Sequence, residues 1–258
     1  MGADDTLGEP SDPVHSRLQR LERLLDPELQ AFRGAEASVL VPAWRRVTEG
    51  EPRLPVSVAV GLAIALQVAL PDRVAPHPRW LLPALATLLL VGIFAANPRR
   101  IGHPSPRLRV ASLILIAIIS TANGWSAARL IDSLLYGTAT KDPVSLLSTG
   151  AAIWLTNVVV FALWYWELDR GGPVARAQAV HQYPDLLFAQ MQSPELAPPH
   201  WEPAFLDYLY VSFTNATAFS PTDVLPLSRW AKLTMMLQSA VSLATVALVI
   251  ARAVNILP

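Results

Sequence analysis

The sequence predicts an all-α integral membrane fold, a helical bundle of about five transmembrane helices plus one re-entrant half-helix. Composition gives the first observation: 52% of the 258 residues are hydrophobic and only 16% are charged, whereas about a quarter are charged in soluble domains. The second observation is that the apolar residues are grouped into runs of membrane-spanning length. Because a helix satisfies its own backbone hydrogen bonds in lipid, these runs predict helices.

Five apolar segments reach or approach the length needed to cross a hydrocarbon core of about 30 Å, for which about 20 helical residues suffice. They occupy residues 54–70, 80–97, 108–135, 146–166 and 229–257. The first three make up a predicted three-span bundle over residues 54–135. Trp164, Tyr165 and Trp166 stand at the end of the fourth segment, a pattern typical of an aromatic belt at the membrane interface.

The chain before the first span divides into two parts. Residues 1–13 are acidic and rich in Gly and Pro, which predicts a disordered tail. Residues 14–53 hold a predicted amphipathic helix and a linker, because apolar residues recur at helical spacing with arginines between them. Three placements are consistent with that helix: on a membrane surface, paired with a partner helix, or docked on its own protein with one face in solvent.

Residue content excludes several classes of function. Basic and acidic residues balance at 20 each, which argues against a nucleic-acid partner, since such a partner requires a basic surface. The absence of cysteine excludes disulfides and thiolate sites, and the histidines lack metal-ligand spacing. No nucleophile and base occur at the spacing of a known catalytic motif. We therefore expect no enzyme activity, no catalytic residue, no metal and no cofactor.

The segment between the last two spans has a different character. Residues 171–200 are rich in Pro and polar groups, which predicts a loop outside the lipid. In residues 201–223 the apolar stretch is short and contains Asp207, and a carboxylate at mid-bilayer costs about 2.5–3.5 kcal/mol. A half-helix that enters the bilayer and returns, shielded by its neighbours, avoids that cost. We therefore expect residues 201–223 to be re-entrant.

This segment and the span after it carry the clearest motif in the chain. Residues 210–223 read YVSFTNATAFSPTD, and residues 236–255 read MLQSAVSLATVALVIARAVN. They resemble, without a gap over about forty-five positions, the pore module of the potassium-channel superfamily. The matching positions are Tyr210, Ser212, Phe213, Thr217, Asp223, Val224, Pro226, Ser228, Ala231 and Lys232. The resemblance implies that residues 146–257 form an outer helix, a pore helix, a filter loop and an inner helix. It also implies a homo-tetramer in the lipid bilayer with a monovalent cation as its ligand.

The filter positions depart from the family pattern. They are occupied by Ala218, Phe219, Ser220, Pro221 and Thr222, so both glycines are missing. A potassium filter needs a ring of inward carbonyls, and glycine permits the backbone conformation that this ring requires. The sequence therefore predicts a path without potassium selectivity. Polar side chains would line it at Thr214, Asn215, Thr217, Ser220, Thr222 and Asp223, with Gln238, Ser239 and Ser242 on the inner helix.

Three functions are consistent with this pattern. The first is an ion-channel-like protein that conducts cations with low selectivity. The second is a non-conducting membrane protein with a structural, assembly or regulatory role, in which the hydroxyls join helices by hydrogen bonds. A small transporter is disfavoured, because the two halves of the chain show no inverted repeat.

Other polar groups within the spans have simpler interpretations. Arg129 and Asp132 lie one helical turn apart and are expected to neutralise each other. The single amides of Gln67, Asn123, Asn157 and Gln238 are expected to join helices. Glu167, Asp169 and Arg170 are expected to form a charged cap after the aromatic belt, with Glu167 and Arg170 at i,i+3 spacing.

The distribution of Lys and Arg predicts the orientation in the membrane. Basic residues concentrate before the first span, around residues 98–109 and around residues 170–232. The positive-inside rule then places the N-terminus in the cytoplasm of a cell-membrane protein, in the inner membrane of a bacterium. With five spans the half-helix enters from the cytoplasmic side. If one of the two short early segments does not cross the membrane, the half-helix enters from outside, as in potassium channels.

Overall fold

The computed structural model describes residues 42–96, 100–101, 105–140, 142–217 and 223–256. The chain divides into two units, residues 1–42 and residues 43–258, and all the elements below belong to the second. The tail and the amphipathic helix predicted within residues 1–41 lie outside the described residues. The filter positions Ala218, Phe219, Ser220, Pro221 and Thr222 lie outside them as well.

The chain is mostly helical, as the sequence predicts. The helices are α1 Leu54–Ala69, α2 Leu81–Ala96, α3 Pro106–Leu135, α4 Pro143–Leu168, α5 Pro173–Ala177, α6 Ala189–Gln192, α7 Phe205–Thr217 and α8 Arg229–Ile256. Among the described residues, α3, α4 and α8 are long and apolar enough to cross a membrane. Helices α1 and α2 are apolar but have only 16 residues each, which is about 24 Å of helix.

Two short antiparallel strand pairs tie distant parts of the chain together. Strand β1 (Glu51–Pro52) pairs with β2 (Arg100–Ile101), and β3 (Leu186–Leu187) pairs with β4 (Leu225–Pro226). Each pair therefore joins the backbone immediately before or after a helix to a loop elsewhere in the chain.

Local sequence explains where the long helices begin. Proline stands in the first turn of α1, α3 and α4, where its missing N–H would have no helical partner. Ser105 caps α3 by accepting a hydrogen bond from the Leu108 N–H at 3.5 Å. The Asp142 carboxylate caps α4 by accepting from the N–H groups of Val144 and Ser145, at 3.2 and 3.1 Å.

Helix α4 lies at the centre of the bundle and packs against α1, α3, α7 and α8. Of its most apolar stretch 67% is buried inside the protein, against 39% for α3 and 28% for α8. This position explains why the aromatic belt interpretation is wrong for Tyr165 and Trp166. Both side chains are buried in the bundle, and Trp164 donates a hydrogen bond to Ser120 Oγ on α3 at 2.9 Å. A belt requires side chains that reach the interface, and neighbouring helices cover this part of α4.

One end of the bundle gathers most of the buried charge, and we call it the charged end. It contains the start of α1, the end of α2, the start of α3, the end of α4 and the starts of α7 and α8. Contacts that cross between these helix ends define it, including Arg53 to the Ile93 carbonyl, Arg109 to Glu167 and Tyr208 to Asp169.

Candidate functional site

Helix α7 runs from the charged end to about the middle of the bundle. Near its start, the Tyr208 hydroxyl donates to Asp169 Oδ2 at 2.6 Å, just beyond the end of α4. One turn later, Ser212 Oγ donates to the carbonyl of Val158, in the interior of α4, at 2.6 Å. At its far end, the Ala216 carbonyl accepts from Ser242 Oγ, halfway along α8, at 2.7 Å. The 13 residues of α7 are about 20 Å long, so this is a half-length helix.

The chain returns after α7 to the end at which it entered. Strand β4 pairs with β3, and the N–H groups of Asp185 and Leu186 donate to Asp169 Oδ1 at 2.9 and 3.2 Å. At the start of α8, Trp230 Nε1 donates to Asp185 Oδ1 at 2.9 Å. The buried Asp169 carboxylate therefore holds both the start of α7 and the loop to which the returning strand is paired.

A buried network centred on Gln238 joins α7 to α4 and α8. Gln238 is 0% exposed; its Oε1 accepts from the Tyr165 hydroxyl at 2.6 Å and from Asn215 Nδ2 at 2.8 Å. Its Nε2 donates to Ser212 Oγ at 2.7 Å and to the Ser212 carbonyl at 2.9 Å. Asn215 Nδ2 also donates to the Met235 carbonyl at 3.0 Å. Hydrogen bonds of this kind hold helices together where no water is present.

Hydroxyl groups also satisfy the last carbonyls of α7. The carbonyls of Thr214, Asn215 and Ala216 accept from the hydroxyls of Thr217, Ser239 and Ser242, at 2.8, 3.2 and 2.7 Å respectively. The final carbonyls of a helix have no intrahelical partner, so a helix that ends inside a bundle needs donors from its neighbours. Two of the three donors come from α8, which explains how α7 can end at this depth.

The structure brings together some of the predicted site residues. Asn215, Gln238, Ser239 and Ser242 meet in one network, where they contact α4, α7 and α8 of the same chain. Thr214 Oγ1 donates to the carbonyl of Tyr210 on its own helix at 2.9 Å. Asp223 is exposed. Two side chains of α4 near this network, Trp154 and Asn157, each have a buried nitrogen without a partner among the described residues.

A second buried cluster at the charged end was not anticipated from the sequence. Arg176 Nη2 lies 2.8 Å from Glu51 Oε1, and both side chains are buried. Trp166 Nε1 donates to Glu51 Oε2 at 2.8 Å, and Arg176 Nη1 donates to the Asp169 carbonyl at 3.1 Å. Burial alone lowers the pKa of Arg176, but Tyr208 and the carboxylates of Glu51 and Asp169 raise it above its ordinary value. The guanidinium is therefore charged at every physiological pH.

The turn after α4 positions Arg176. Gly172 adopts φ +98°, and a Cβ at this position would lie 2.9 Å from the Glu167 carbonyl oxygen. Only glycine fits both the left-handed conformation and this close approach. The turn directs the chain back toward α4, so that α5 places Arg176 under the end of that helix.

The expected charged cap is present but is buried and paired differently. Arg170 Nη1 donates to the Trp44 carbonyl at 2.6 Å, and Arg170 Nε lies 4.0 Å from Asp169 Oδ2. Glu167 is 3% exposed, and its Oε1 lies 3.9 Å from Nε of Arg109 on α3. The i,i+3 pair expected from the spacing is thus replaced by longer-range contacts. These charges hold the helix ends to one another within the protein.

Two other expectations for polar groups are confirmed. Arg129 Nη1 lies 3.8 Å from Asp132 Oδ2, with both side chains half exposed. Gln67 Nε2 donates to Asn123 Oδ1 at 3.1 Å and joins α1 to α3.

Comparisons with known proteins do not assign the chain to a family. No protein-family model matches it, no curated protein matches its sequence, and no solved structure matches its fold. The resemblance of residues 210–255 to a pore module therefore rests on the residues of this chain alone.

Proposed function

We propose that this protein is an ion-channel-like, multi-pass membrane protein in which α4, α7 and α8 form a unit that passes cations with low selectivity. The observation that carries the proposal is the half-length α7. Its segment starts and returns at the charged end, and it ends halfway along the two long helices that hold it. This is the geometry expected of a helix that enters a membrane without crossing it.

The position of the C-terminus of α7 favours a cation over an anion. A helix carries partial negative charge at its C-terminus, and the C-terminal ends of half-helices coordinate cations in membrane transporters. Here that end lies near the middle of the bundle, just before the glycine-free segment 218–222. Because this segment lacks the glycines that a carbonyl cage requires, we expect weak selection among cations.

The proposal includes a homo-tetramer around the α7 and α8 surfaces. The exposed face of α8 carries Leu233, Met236, Leu237, Leu243 and Ile250, and that of α7 carries Leu206, Tyr210 and Phe213. An apolar face of this kind is suited to lipid or to a second copy of the chain. Symmetry would bring four C-termini of α7 toward one axis.

Membrane orientation is part of the same proposal. Helices α1, α2, α3, α4 and α8 would cross in turn, with the N-terminus and the basic residues of the charged end in the cytoplasm of the cell membrane. The half-helix would then enter from the cytoplasmic side. The short α1 and α2 would require local thinning of the bilayer, which costs only fractions of a kcal/mol per Å.

A non-conducting role is the second candidate, and one observation favours it. Polar side chains of α7 and α8, namely Ser212, Asn215, Gln238, Ser239 and Ser242, are hydrogen-bonded within one chain. In this alternative the half-helix is a structural element, and the protein acts in assembly or regulation.

Recording currents from the purified protein in a planar bilayer distinguishes the two candidates. Conduction predicts single-channel currents carried by more than one cation, and Asp223→Asn lowers their amplitude by removing a carboxylate at the mouth. Glu195→Gln removes another exposed carboxylate, between α6 and α7, and leaves the currents unchanged. Silence in Na⁺, K⁺ and Ca²⁺ would overturn conduction and favour the structural role.

A further inference from the structure

A cavity of about 320 Å³ lies between α1, α2, α3, α4 and the turn that leads into α5. Its walls are apolar over most of their length and include Val56, Val60, Ile93, Leu115, Ile116 and Leu163. No residue of α7 or α8 lines it, so α4 separates it from the half-helix.

The end of this cavity at the charged end is polar. Arg53, Arg109 and Glu167 line it. Two guanidinium groups against one carboxylate leave this end with a net positive charge. Burial lowers the pKa of Arg53, and the Glu167 carboxylate opposes that shift, so the arginine stays protonated.

Arg53 is incompletely paired within the described part of the chain. Its side chain is buried, with the residue 7% exposed, and its Nη1 donates to the Ile93 carbonyl at 3.2 Å. Its buried Nε, however, has no partner. A buried N–H without an acceptor is unfavourable, and a charged donor is more costly than a neutral one. This Nε is closed to solvent, so an anion in the cavity would stabilise Arg53 through the charge of its guanidinium group.

We propose that this cavity binds an amphipathic anion, with a carboxylate or phosphate group at Arg53 and Arg109 and a hydrocarbon chain along the apolar walls. Guanidinium groups are suited to both anions because they present parallel N–H donors. A water molecule takes about 30 Å³ in the liquid, so the cavity has room for roughly ten water-sized groups. It therefore takes the head group and the first part of a chain, and the remainder of the chain lies outside it.

The walls explain why a purely polar ligand fits less well. A free phosphate ion would occupy only the end near Arg53 and leave the apolar part empty, whereas a chain removes that surface from water. The cavity also lies at the ends of the helices, where a membrane places the boundary between head groups and hydrocarbon.

The test uses the full-length chain purified in an uncharged detergent. It is titrated with palmitate, with phosphatidylglycerol and with phosphatidylcholine, which has no net charge, and bound molecules are counted by native mass spectrometry. The proposal predicts saturable binding of one molecule of at least one of the two anionic probes, at a concentration at which phosphatidylcholine does not bind. Stronger binding of palmitate would identify a free fatty acid as the source, and stronger binding of phosphatidylglycerol would identify a bilayer lipid.

Matched variants locate the site. Arg109→Gln should weaken binding of the preferred anion about tenfold, because it removes a charge-assisted hydrogen bond. Arg107→Gln, an exposed position in the same turn of α3 that does not line the cavity, should leave binding unchanged. Ser112→Trp should abolish binding by filling the cavity. Binding that is equal in all variants, equal for the uncharged lipid, or absent for both anions would overturn the proposal. None of these outcomes depends on ion currents.

Discussion

Two regions of the molecule pack against α4, and they differ in what occupies the space between the helices. Where α7 and α8 meet α4, the side chains of Ser212, Asn215 and Gln238 donate and accept within the chain. Where α1 and α3 meet α4, a cavity remains, and Arg53, Arg109 and Glu167 line its polar end. Hydrogen bonds across the helix contacts make the first region a support for the half-helix, whereas open space beside two arginines makes the second region suited to a ligand.

The charged end connects these two regions and is expected to be the most sensitive to mutation. Arg176→Met leaves the buried Glu51 carboxylate without its positively charged partner, and removing one member of a buried pair costs about 3–5 kcal/mol. Equilibrium unfolding of the detergent-solubilised protein measures the loss. Replacing both residues, in the double variant Glu51→Gln with Arg176→Met, should recover part of the lost free energy of unfolding. The half-exposed pair of Arg129 and Asp132 is the control, and Arg129→Met should cost less than about 1 kcal/mol. Equal losses for the two arginine variants would contradict the role assigned to Arg176.

The Gln238 network should give the next largest effect. Gln238→Leu leaves Tyr165, Ser212 and Asn215 short of partners, and unsatisfied buried groups cost about 1–3 kcal/mol each when no rearrangement compensates. We expect a loss of about 2–3 kcal/mol, since partial repacking of the neighbouring side chains reduces the total. Gln67→Leu breaks the single bond to Asn123 and should cost about 0.6 kcal/mol. If Gln67→Leu cost as much as Gln238→Leu in the same unfolding experiment, the network would not be the special support of α7.

Close packing between α4 and α8 predicts a smaller effect. A Cβ added at Gly150 would lie 2.9 Å from two methyl carbons of Val249, so Gly150→Ala should cost about 1–3 kcal/mol through overpacking. Gly61 on α1 has no atom within 4 Å of such a Cβ, and Gly61→Ala should be neutral or stabilising by up to about 1 kcal/mol. Thermal unfolding of the two variants checks the difference, and a Gly150→Ala protein as stable as Gly61→Ala would show that α8 shifts easily against α4.

The sequence predicted the helices well, because each is a long apolar run with a clear start and end. Residues 229–257 became α8, Arg229–Ile256, and residues 54–70 became α1, Leu54–Ala69. A short helix was also expected within residues 201–223, where the apolar stretch is too short and polar for a span. In each case the signal is local, which is why one sequence was sufficient.

The pairing at the charged end could not be predicted in this way. Glu51 and Arg176 are 125 positions apart, and no local pattern indicates that the turn at Gly172 brings them together. The aromatic belt failed for a related reason. The position of Trp164–Trp166 at the end of an apolar run does not reveal that other helices surround this part of α4. The only signal was that charged residues flank the ends of apolar runs, which suggests pairing but does not identify the partners.

The re-entry of the α7 segment is the central claim, and cysteine labelling tests it most directly. The chain contains no cysteine, so single cysteines at Ala204 and Asp223 report on the two ends of the segment. In intact cells and inverted vesicles, a membrane-impermeant maleimide should label both positions from the same face. Labelling of Ala204 and Asp223 from opposite faces would show that the segment crosses the membrane and would contradict the half-helix.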